Sequence, residues 1–296
     1  MAMRGADVSR AASAPVGADL VVQGPYVLRE DLEVLQLLTG AVGVEPLGRA
    51  QCDAYRLHEP ADVAGVPQAC GAAGYDWALV PAQRTLARVR LVAMDMDSTL
   101  ITIECIDEIA ALRGIGDDVA AITAAAMRGD LDFRASLERR VELLAGLPVT
   151  DLARVYNERL RLSDGALQLL ETCARIGAKT LLVSGGFTFF TDRLQSRLAF
   201  DHALANVLEI VDGKLTGRIH GDIVDADAKA TAFAKLADRY CGDDGLAVAI
   251  GDGANDLPML ARADVSIAYR AKPRVRAQAT HAIDHCGLDA TLNLFG

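Results

Sequence analysis

The sequence predicts an α/β protein, a mostly parallel sheet with helices on both faces, preceded by a smaller α+β module. Three observations carry that prediction. From residue 179 onward, apolar runs of strand length alternate with segments of helical periodicity. Three runs, 91–94, 179–183 and 247–250, stop abruptly in acidic or glycine-rich tips. Before residue 82 the pattern reads strand, helix, strand, strand, helix, strand. A chain of 296 residues has room for two domains, and 51% hydrophobic content is ample for a sizeable core. The net charge of −10 argues against a nucleic-acid partner, because that affinity rests on neutralising phosphates with Lys and Arg. No apolar run reaches the roughly 18 residues that span a bilayer, so no membrane partner is expected. The N-terminus lacks the apolar stretch of a secretion signal. The six cysteines form no C-x-x-C pair and read as reduced thiols of a cytoplasmic enzyme.

Taken in order, residues 1–18 are small, polar and aperiodic, and are expected to be disordered. Residues 20–22 read as a strand, 31–38 as a helix, and 42–47 and 52–57 as strands. A helix over 61–72 and a strand over 75–80 complete the order βαββαβ, that of a ferredoxin-like module. In size and order, residues 19–82 resemble an ACT-type domain. Trp77, the single tryptophan, reads as a packing residue. Residues 81–90 form a basic connector whose arginines read as solvated, and the domain boundary is placed there.

The run 91–94 is too short and too sharply stopped for a helix. Asp95 and Asp97 follow at i, i+2, a spacing that puts both on one side of an extended chain. Two readings stay open at this stretch: a capped helix start, or two carboxylates crowding one volume at a strand's carboxyl end, where open α/β sheets bind ligands. Helices are then expected over 104–112, 117–127, 133–144, 151–160 and 165–176. The first four precede any second strand and read as an insert of about residues 104–162 lying above the sheet. Strand 179–183 ends in Ser184-Gly185-Gly186-Phe187. Residues 207–210 and 214–219, joined by Asp212-Gly213, predict a β-hairpin. A helix over 228–240, a strand over 247–250, a helical turn over 258–263 and short strands over 265–268 and 281–283 close the chain.

Parallel strands bring their carboxyl-end tips to one edge of a sheet. That edge would gather Asp95, Asp97, Asp252 and Asp256 with Lys229, Ser184 and free backbone N–H groups. Four carboxylates need a cation, and oxygen-only ligands favour a hard ion such as Mg²⁺. The glycine-rich tip after residue 183 offers N–H donors to an anion, so Mg²⁺, Lys229 and these donors together suit a phosphoryl group. His281, His285 and Cys286 lie on a strand and loop, not on a helix that would set them as metal ligands. No G-x-x-x-x-G-K-[ST] occurs, which excludes a P-loop nucleotide hydrolase.

In order, Asp95-Met96-Asp97-Ser98-Thr99, Ser184, Lys229 and Gly251-Asp252-Gly253-x-x-Asp256 resemble the four motifs of the haloacid dehalogenase (HAD) superfamily, and with their inserts they cover residues 90–296. Glu104-x-x-Asp107-Glu108, the stretch Met127-Arg128-Gly129-Asp130-Leu131-Asp132-Phe133, Ser136-Leu137 and Arg139-Arg140-Val141 are similar to the phosphoserine phosphatase family. The resemblance implies a Rossmann-like parallel sheet with a helical cap, and Mg²⁺-dependent release of phosphate from phosphoserine as the last step of serine biosynthesis. It implies Asp95 as nucleophile and Asp97 as acid and base. Mg²⁺ would be held by Asp95, Asp252 and the Asp97 main-chain carbonyl, with Asp256 supporting the shell. Ser184, the Gly185 amide and Lys229 would hold the phosphoryl oxygens. Glu104 would pair with the substrate ammonium and Arg140 with its carboxylate; without the resemblance, a helix-start acid and a solvated helix face are the plainer readings. Met127 and Phe133 line the pocket or pack in the core, and Asn255 contacts substrate or shapes its turn. A homodimer is compatible with all of this. Two alternatives remain: the same chemistry on a related substrate such as phosphohomoserine, including transfer to another acceptor, or a catalytically inactive amino-acid sensor.

Overall fold

The computed structural model describes residues 17–128 and 130–296, Met127 by its backbone alone. Of the tail expected to be disordered, residues 1–16 lie outside the described residues, and Ala18 already belongs to the first strand. The first unit comprises β1 (Ala18–Gly24), α1 (Arg29–Thr39), β2 (Gly43–Pro46), β3 (Asp53–His58), α2 (Val66–Ala73) and β4 (Asp76–Pro81). Its sheet runs β2-β3-β1-β4 with every pairing antiparallel. That is the arrangement of a split βαβ module. Leu20 and Val22 face a core shared with α1 and α2, against which Trp77 packs, while Val21 faces the opposite side. Helix α2 begins later than its apolar pattern suggests. Asp62 accepts the Ala64 N–H at 2.9 Å and holds the preceding residues in a turn, and Pro67 then sits in the first helical turn, where its missing N–H costs nothing.

The second unit contains β5 (Val89–Met94), α3 (Cys105–Leu112), α4 (Gly116–Met127), α5 (Phe133–Glu142), α6 (Val149–Arg154), α7 (Ala166–Ile176), β6 (Lys179–Phe187), α8 (Thr188–Leu198), β7 (His202–Val211), β8 (Lys214–His220), α9 (Ala226–Tyr240), β9 (Leu246–Gly251), α10 (Leu257–Leu260), β10 (Val265–Tyr269), α11 (Pro273–Arg276) and β11 (His281–Ile283). The sheet order is β11-β10-β9-β5-β6-β7-β8, parallel except for the β7–β8 hairpin. Strand β5 lies at its centre, between β9 and β6. Leu91 and Ala93 pack with Ala230 and Phe233 of α9 on one face. Val92 and Met94 pack into the larger core on the other. This period-two division buries both faces, as a sheet covered on both sides requires.

The hairpin turn falls where expected: Asp212 and Gly213 both have positive φ, 50° and 73°, as a two-residue I′ turn demands. Strand β7, however, begins at His202, five residues before its expected start, and its first half joins the parallel sheet. Helix α8 is not announced by the sequence pattern; it fills the crossover between β6 and β7. The helix expected over 151–160 runs without a break from Val149 to Arg159, its last turn, Val155–Arg159, being wider than an α-helical one.

The two units share buried surface. Asp76 of β4 accepts backbone N–H groups from Asp284 at 2.8 Å and from His285 and Cys286 at 3.1 Å each. Arg49 and Arg56 both donate to the Phe295 carbonyl, at 2.6 and 2.8 Å. The connector is also docked, which corrects its reading as solvated at Arg84, while Arg90 is exposed as expected. Arg84 bonds His281, Arg88 donates to the Asp244 carbonyl, and Val89 is buried.

That docking has a pH consequence. Burial first, and Arg84 second, push the His281 imidazole down to about 3. As pH falls below the ordinary histidine value of about 6.5, the unfolded chain takes up a proton that the folded chain excludes. Stability is therefore retained above that pH and lost below it, by roughly 2 kcal/mol at pH 5. Thermal melts between pH 7 and 5 should show a smaller acid-induced drop in Tm for His281→Gln than for the unsubstituted protein. An identical drop would remove this histidine from the account.

Candidate active site

The site is built at the carboxyl ends of β5, β6 and β9. Asp95 follows β5 directly and is anchored to the neighbouring strand, its N–H donating to the Ile250 carbonyl at 3.1 Å. The chain then makes one wide turn, closed by Leu100 N–H to the Asp95 carbonyl at 3.2 Å and Ile101 N–H to the Met96 carbonyl at 3.0 Å. Within it Ser98 takes φ of 55°, a left-handed conformation unusual outside glycine. Such strain costs on the order of 1–3 kcal/mol and persists where surrounding bonds over-determine it. Here Ser98 N–H donates to the Ile103 carbonyl at 3.2 Å, and its hydroxyl to Glu104 Oε1 at 2.7 Å.

Lys229, on the first turn of α9, is 1% exposed. Its Nζ lies 2.8 Å from Asp95 Oδ1 and 2.9 Å from Asp256 Oδ1. The other oxygen of Asp256 accepts the Gly253 N–H at 3.0 Å, so both are engaged. Asp252 accepts from the Thr99 hydroxyl at 3.2 Å. Asp95, Asp252 and Asp256 each present an oxygen within 4.8 Å of the other two. Burial, followed by the Asp256 charge, holds Asp95 well above the usual carboxylate range despite Lys229. Burial, Asp256 and Glu104 push Asp252 up to about 6. Burial alone would lower the Lys229 ammonium, but Asp256 and Asp95 outweigh it and raise it. One ammonium does not balance this group. An oxygen-only donor set carrying excess negative charge fits a hard divalent cation, and Asp95 and Asp252 are the carboxylates placed to take it.

Asp97 accepts the Cys105 N–H at 3.2 Å. Burial, and then Glu104, push its carboxyl up to about 7. A Cβ on Gly186 would stand 2.8 Å from Asp97 Oδ2 and 3.0 Å from Ser184 Oγ, so a side chain there would have to displace both. Ser184 is 1% exposed and accepts the Gly186 N–H at 2.8 Å, which leaves its own proton to donate elsewhere. Phe133 lies over Gly185, its ring 3.1 Å from where a Cβ would be. Asn255 folds its side chain against Gly253 at the β9 tip. Arg140 of α5 is half-buried while Arg139 is exposed. Burial lowers the Arg140 guanidinium, and the charges of Asp107, Glu104 and Asp97 offset this only in part, while its Nε donates to the Ser136 carbonyl at 3.3 Å. The solvated-face reading thus belongs to Arg139 alone. The Met127 side chain lies outside the described residues.

Asp95, Asp97, Asp252, Asp256, Lys229, Ser184 and Gly185 meet as expected, with Glu104, Phe133 and Arg140 beside them. The group that could hold a metal among the described residues is Asp95, Asp252 and Asp256; His281, His285 and Cys286 form none. Sequence reasoning missed the Thr99 bond to Asp252 and all of Asn206. The signal for Asn206 was a lone amide inside an apolar run, legible only once its strand is placed.

Residues 92–261 match the family model described as haloacid dehalogenase-like hydrolase. The chain belongs to the haloacid dehalogenase-like hydrolases. Its relatives narrow the position of this hydrolase within the family. It is 52% identical to the phosphoserine phosphatase of Polaromonas sp. strain JS666 in an alignment of 218 positions that covers 71% of this chain and 91% of that protein. The crystal structure of a probable phosphoserine phosphatase from Vibrio cholerae superposes with TM-score 0.81 at 37% identity, covering 94% of this hydrolase and 86% of that chain. A HAD family hydrolase from Salmonella enterica serovar Typhi gives TM-score 0.84 at 32% identity over 94% of this chain and 98% of that one. Both superpositions include the N-terminal unit, because they cover more of the chain than the parallel-sheet unit alone. No helix among the described residues is long and apolar enough to cross a membrane.

Proposed function

We propose that this hydrolase releases phosphate from O-phospho-L-serine through an aspartyl-phosphate on Asp95. One observation carries the reading: a buried cluster of Asp95, Lys229 and Asp252, suited to a metal and a phosphoryl group, lies beside an acid and a guanidinium, Glu104 and Arg140, suited to an amino acid's two charges. Mg²⁺, held by Asp95, Asp252 and the Asp97 main-chain carbonyl with Asp256 behind them, would clamp the phosphoryl charge and orient its oxygens. The Asp95 carboxylate attacks phosphorus while Asp97 gives its proton to the departing serine oxygen. Water then attacks the phosphorus, Asp97 takes a proton back, and the P–O bond to Asp95 breaks, which releases phosphate and restores the carboxylate. Ser184, the Gly185 N–H and Lys229 hold the phosphoryl oxygens where charge develops. Glu104 pairs with the ammonium and Arg140 grips the carboxylate. Residues 104–162 serve as a cap on a phosphatase domain of residues 83–296, with residues 19–82 a separate domain, and the reaction is placed in the cytoplasm.

The carboxyl of Asp97 predicts the pH profile. Raised to about 7, it keeps its proton below that pH and is ready as an acid. Above it the acid form is lost, so kcat/KM should fall on the alkaline side. Asp97→Asn should cut kcat by roughly 10²–10⁴ and leave no alkaline limb of this origin. An unchanged limb in the variant would assign it to another group. Arg140→Ala should raise KM for phosphoserine by about 10- to 100-fold with kcat much less affected, as loss of a charge-assisted bond implies.

The direct test is phosphate release from phosphoserine, phosphohomoserine and other small phosphoesters, with Mg²⁺ and after chelation, with and without alcohol acceptors. Phosphoserine should be turned over fastest, and chelation should stop it. Faster turnover of phosphohomoserine or transfer to an alcohol would favour the related-substrate reading. No release at all would favour the inactive sensor, against which the complete set of Asp95, Asp97, Lys229 and Asp252 stands.

A further inference from the structure

Asn206 is 0% exposed and stands on β7 opposite the place where β6 leaves the ladder. Val183 pairs with Leu204, and the next pair is Phe187 with Asn206, so β6 advances four positions where β7 advances two. The surplus bulges out as the Ser184-Gly185-Gly186 tip. A bulge re-aims side chains but deprives backbone groups of ladder partners. Asn206 supplies what is lost. Its Nδ2 donates to the Gly185 carbonyl at 2.8 Å, and its Oδ1 accepts the Val224 N–H at 2.7 Å. One backbone acceptor and one backbone donor together determine which way the amide points.

The Gly185 carbonyl and the Gly186 N–H belong to one planar peptide unit. That N–H donates to Ser184 Oγ at 2.8 Å. Holding one edge of the plane therefore holds the other. With a donor bonded to its oxygen, the Ser184 hydroxyl must direct its own proton elsewhere. Val224 precedes Asp225, which caps α9 by accepting the Ala228 N–H at 2.9 Å, and Lys229 comes next.

We propose that Asn206 is a positioning residue for the phosphoryl pocket, its amide setting the Gly185–Gly186 peptide plane, aiming the Ser184 hydroxyl and tying that tip to the segment that carries Lys229. The proposal rests on the phosphatase reading. Asn206 touches no reacting atom, and the amino-acid end of the substrate at Glu104 and Arg140 does not depend on it.

Asn206→Asp keeps an acceptor for Val224 but, when ionised, loses the donor to Gly185. With phosphoserine, kcat should fall by between about 10- and 100-fold, with KM changed much less. Orthovanadate, which adopts the five-coordinate geometry of the transferring phosphoryl group, should lose affinity in step with kcat, while inhibition by L-serine stays within about twofold. In a Ser184→Ala background the same substitution should add little, because both changes act through one hydroxyl. Asn206→Thr, a residue at home in a strand, removes the amide a second way and carries the same expectation should the aspartate variant not fold. Unchanged kcat, equal weakening of serine and orthovanadate, or fully additive losses would overturn the proposal, as would failure of both variants to fold, which would make Asn206 a core residue only. If the unsubstituted protein releases no phosphate from phosphoserine, the phosphatase reading is what has failed. Calorimetry of orthovanadate binding to the Mg²⁺-loaded protein and to Asn206→Asp then tests the positioning role without turnover, and equal affinities would overturn it.

Discussion

Asp95→Asn is expected to abolish phosphate release, by roughly 10⁴-fold or more, while making the metal-free protein harder to melt. The first effect follows from chemistry: an amide does not attack phosphorus. The second follows from charge. Asp95 is 4% exposed and shares its neighbourhood with Asp252 and Asp256 against one ammonium, Lys229. Burial and then Asp256 raise its carboxyl well above the ordinary range. A carboxyl raised in the folded state destabilises that state wherever it must ionise, so at neutral pH the charge opposes folding. Asparagine keeps the shape and an oxygen for the Met96 N–H, which Asp95 now accepts at 2.7 Å, and removes the repulsion. Tm with chelator should rise by a few degrees, and the gain should shrink when Mg²⁺ is added, because a cation bound at the proposed site would already offset the charge in the unsubstituted protein. Stability set aside for function at an active site is a familiar trade. Retention of a tenth or more of the activity would rule out Asp95 as nucleophile. A lower Tm in chelator would rule out the electrostatic account.

Lys229→Met is expected to fail in the opposite sense. The ammonium is 1% exposed and bridges Asp95 and Asp256 at 2.8 and 2.9 Å. Methionine fits the space but leaves two buried carboxylates uncompensated, at a cost of roughly 3–5 kcal/mol. At about 2–4 °C per kcal/mol for a chain of this size, Tm should drop by about 10 °C. Activity should be lost with it, since the same group faces the phosphoryl oxygens in the proposed mechanism. Partial rescue separates this from loss of packing. In Lys229→Met combined with Asp95→Asn, the two stability changes should be strongly non-additive, the double variant melting well above Lys229→Met alone. Additive changes would mean that the lysine acts through its methylenes and not its charge.

Much of the site was legible because its logic is local. Asp95 and Asp97 stand where a strand stops, so both could be put at its tip without a fold, although the turn that begins after Asp95, and not an extended chain, is what aims them. A strand that stops in Gly251-Asp252-Gly253 announces its own tip. Parallel strands bring such tips to one edge, so three separate motifs could be gathered from their order alone. Arg140 was the harder case. Its neighbour Arg139 has the same chemistry, and only the rotation of α5 decides which one is half-buried and feels the charges of Asp107 and Glu104. The connector was misread for a related reason: Arg84 lies 197 positions before the histidine it bonds.

By itself, the sequence determined the chemical inventory of this hydrolase and where along the chain each group stands, because strand length, helical period and glycine punctuation are written in neighbouring residues. Tertiary structure alone decided which side chains became buried against which. It set Asn206 across from a bulge in another strand, drove Asp76 into the backbone of residues 284–286, and left Lys229 enclosed between two carboxylates. Those outcomes depend on sheet register and on burial, which are properties of distant segments packed together, and no local pattern encodes them.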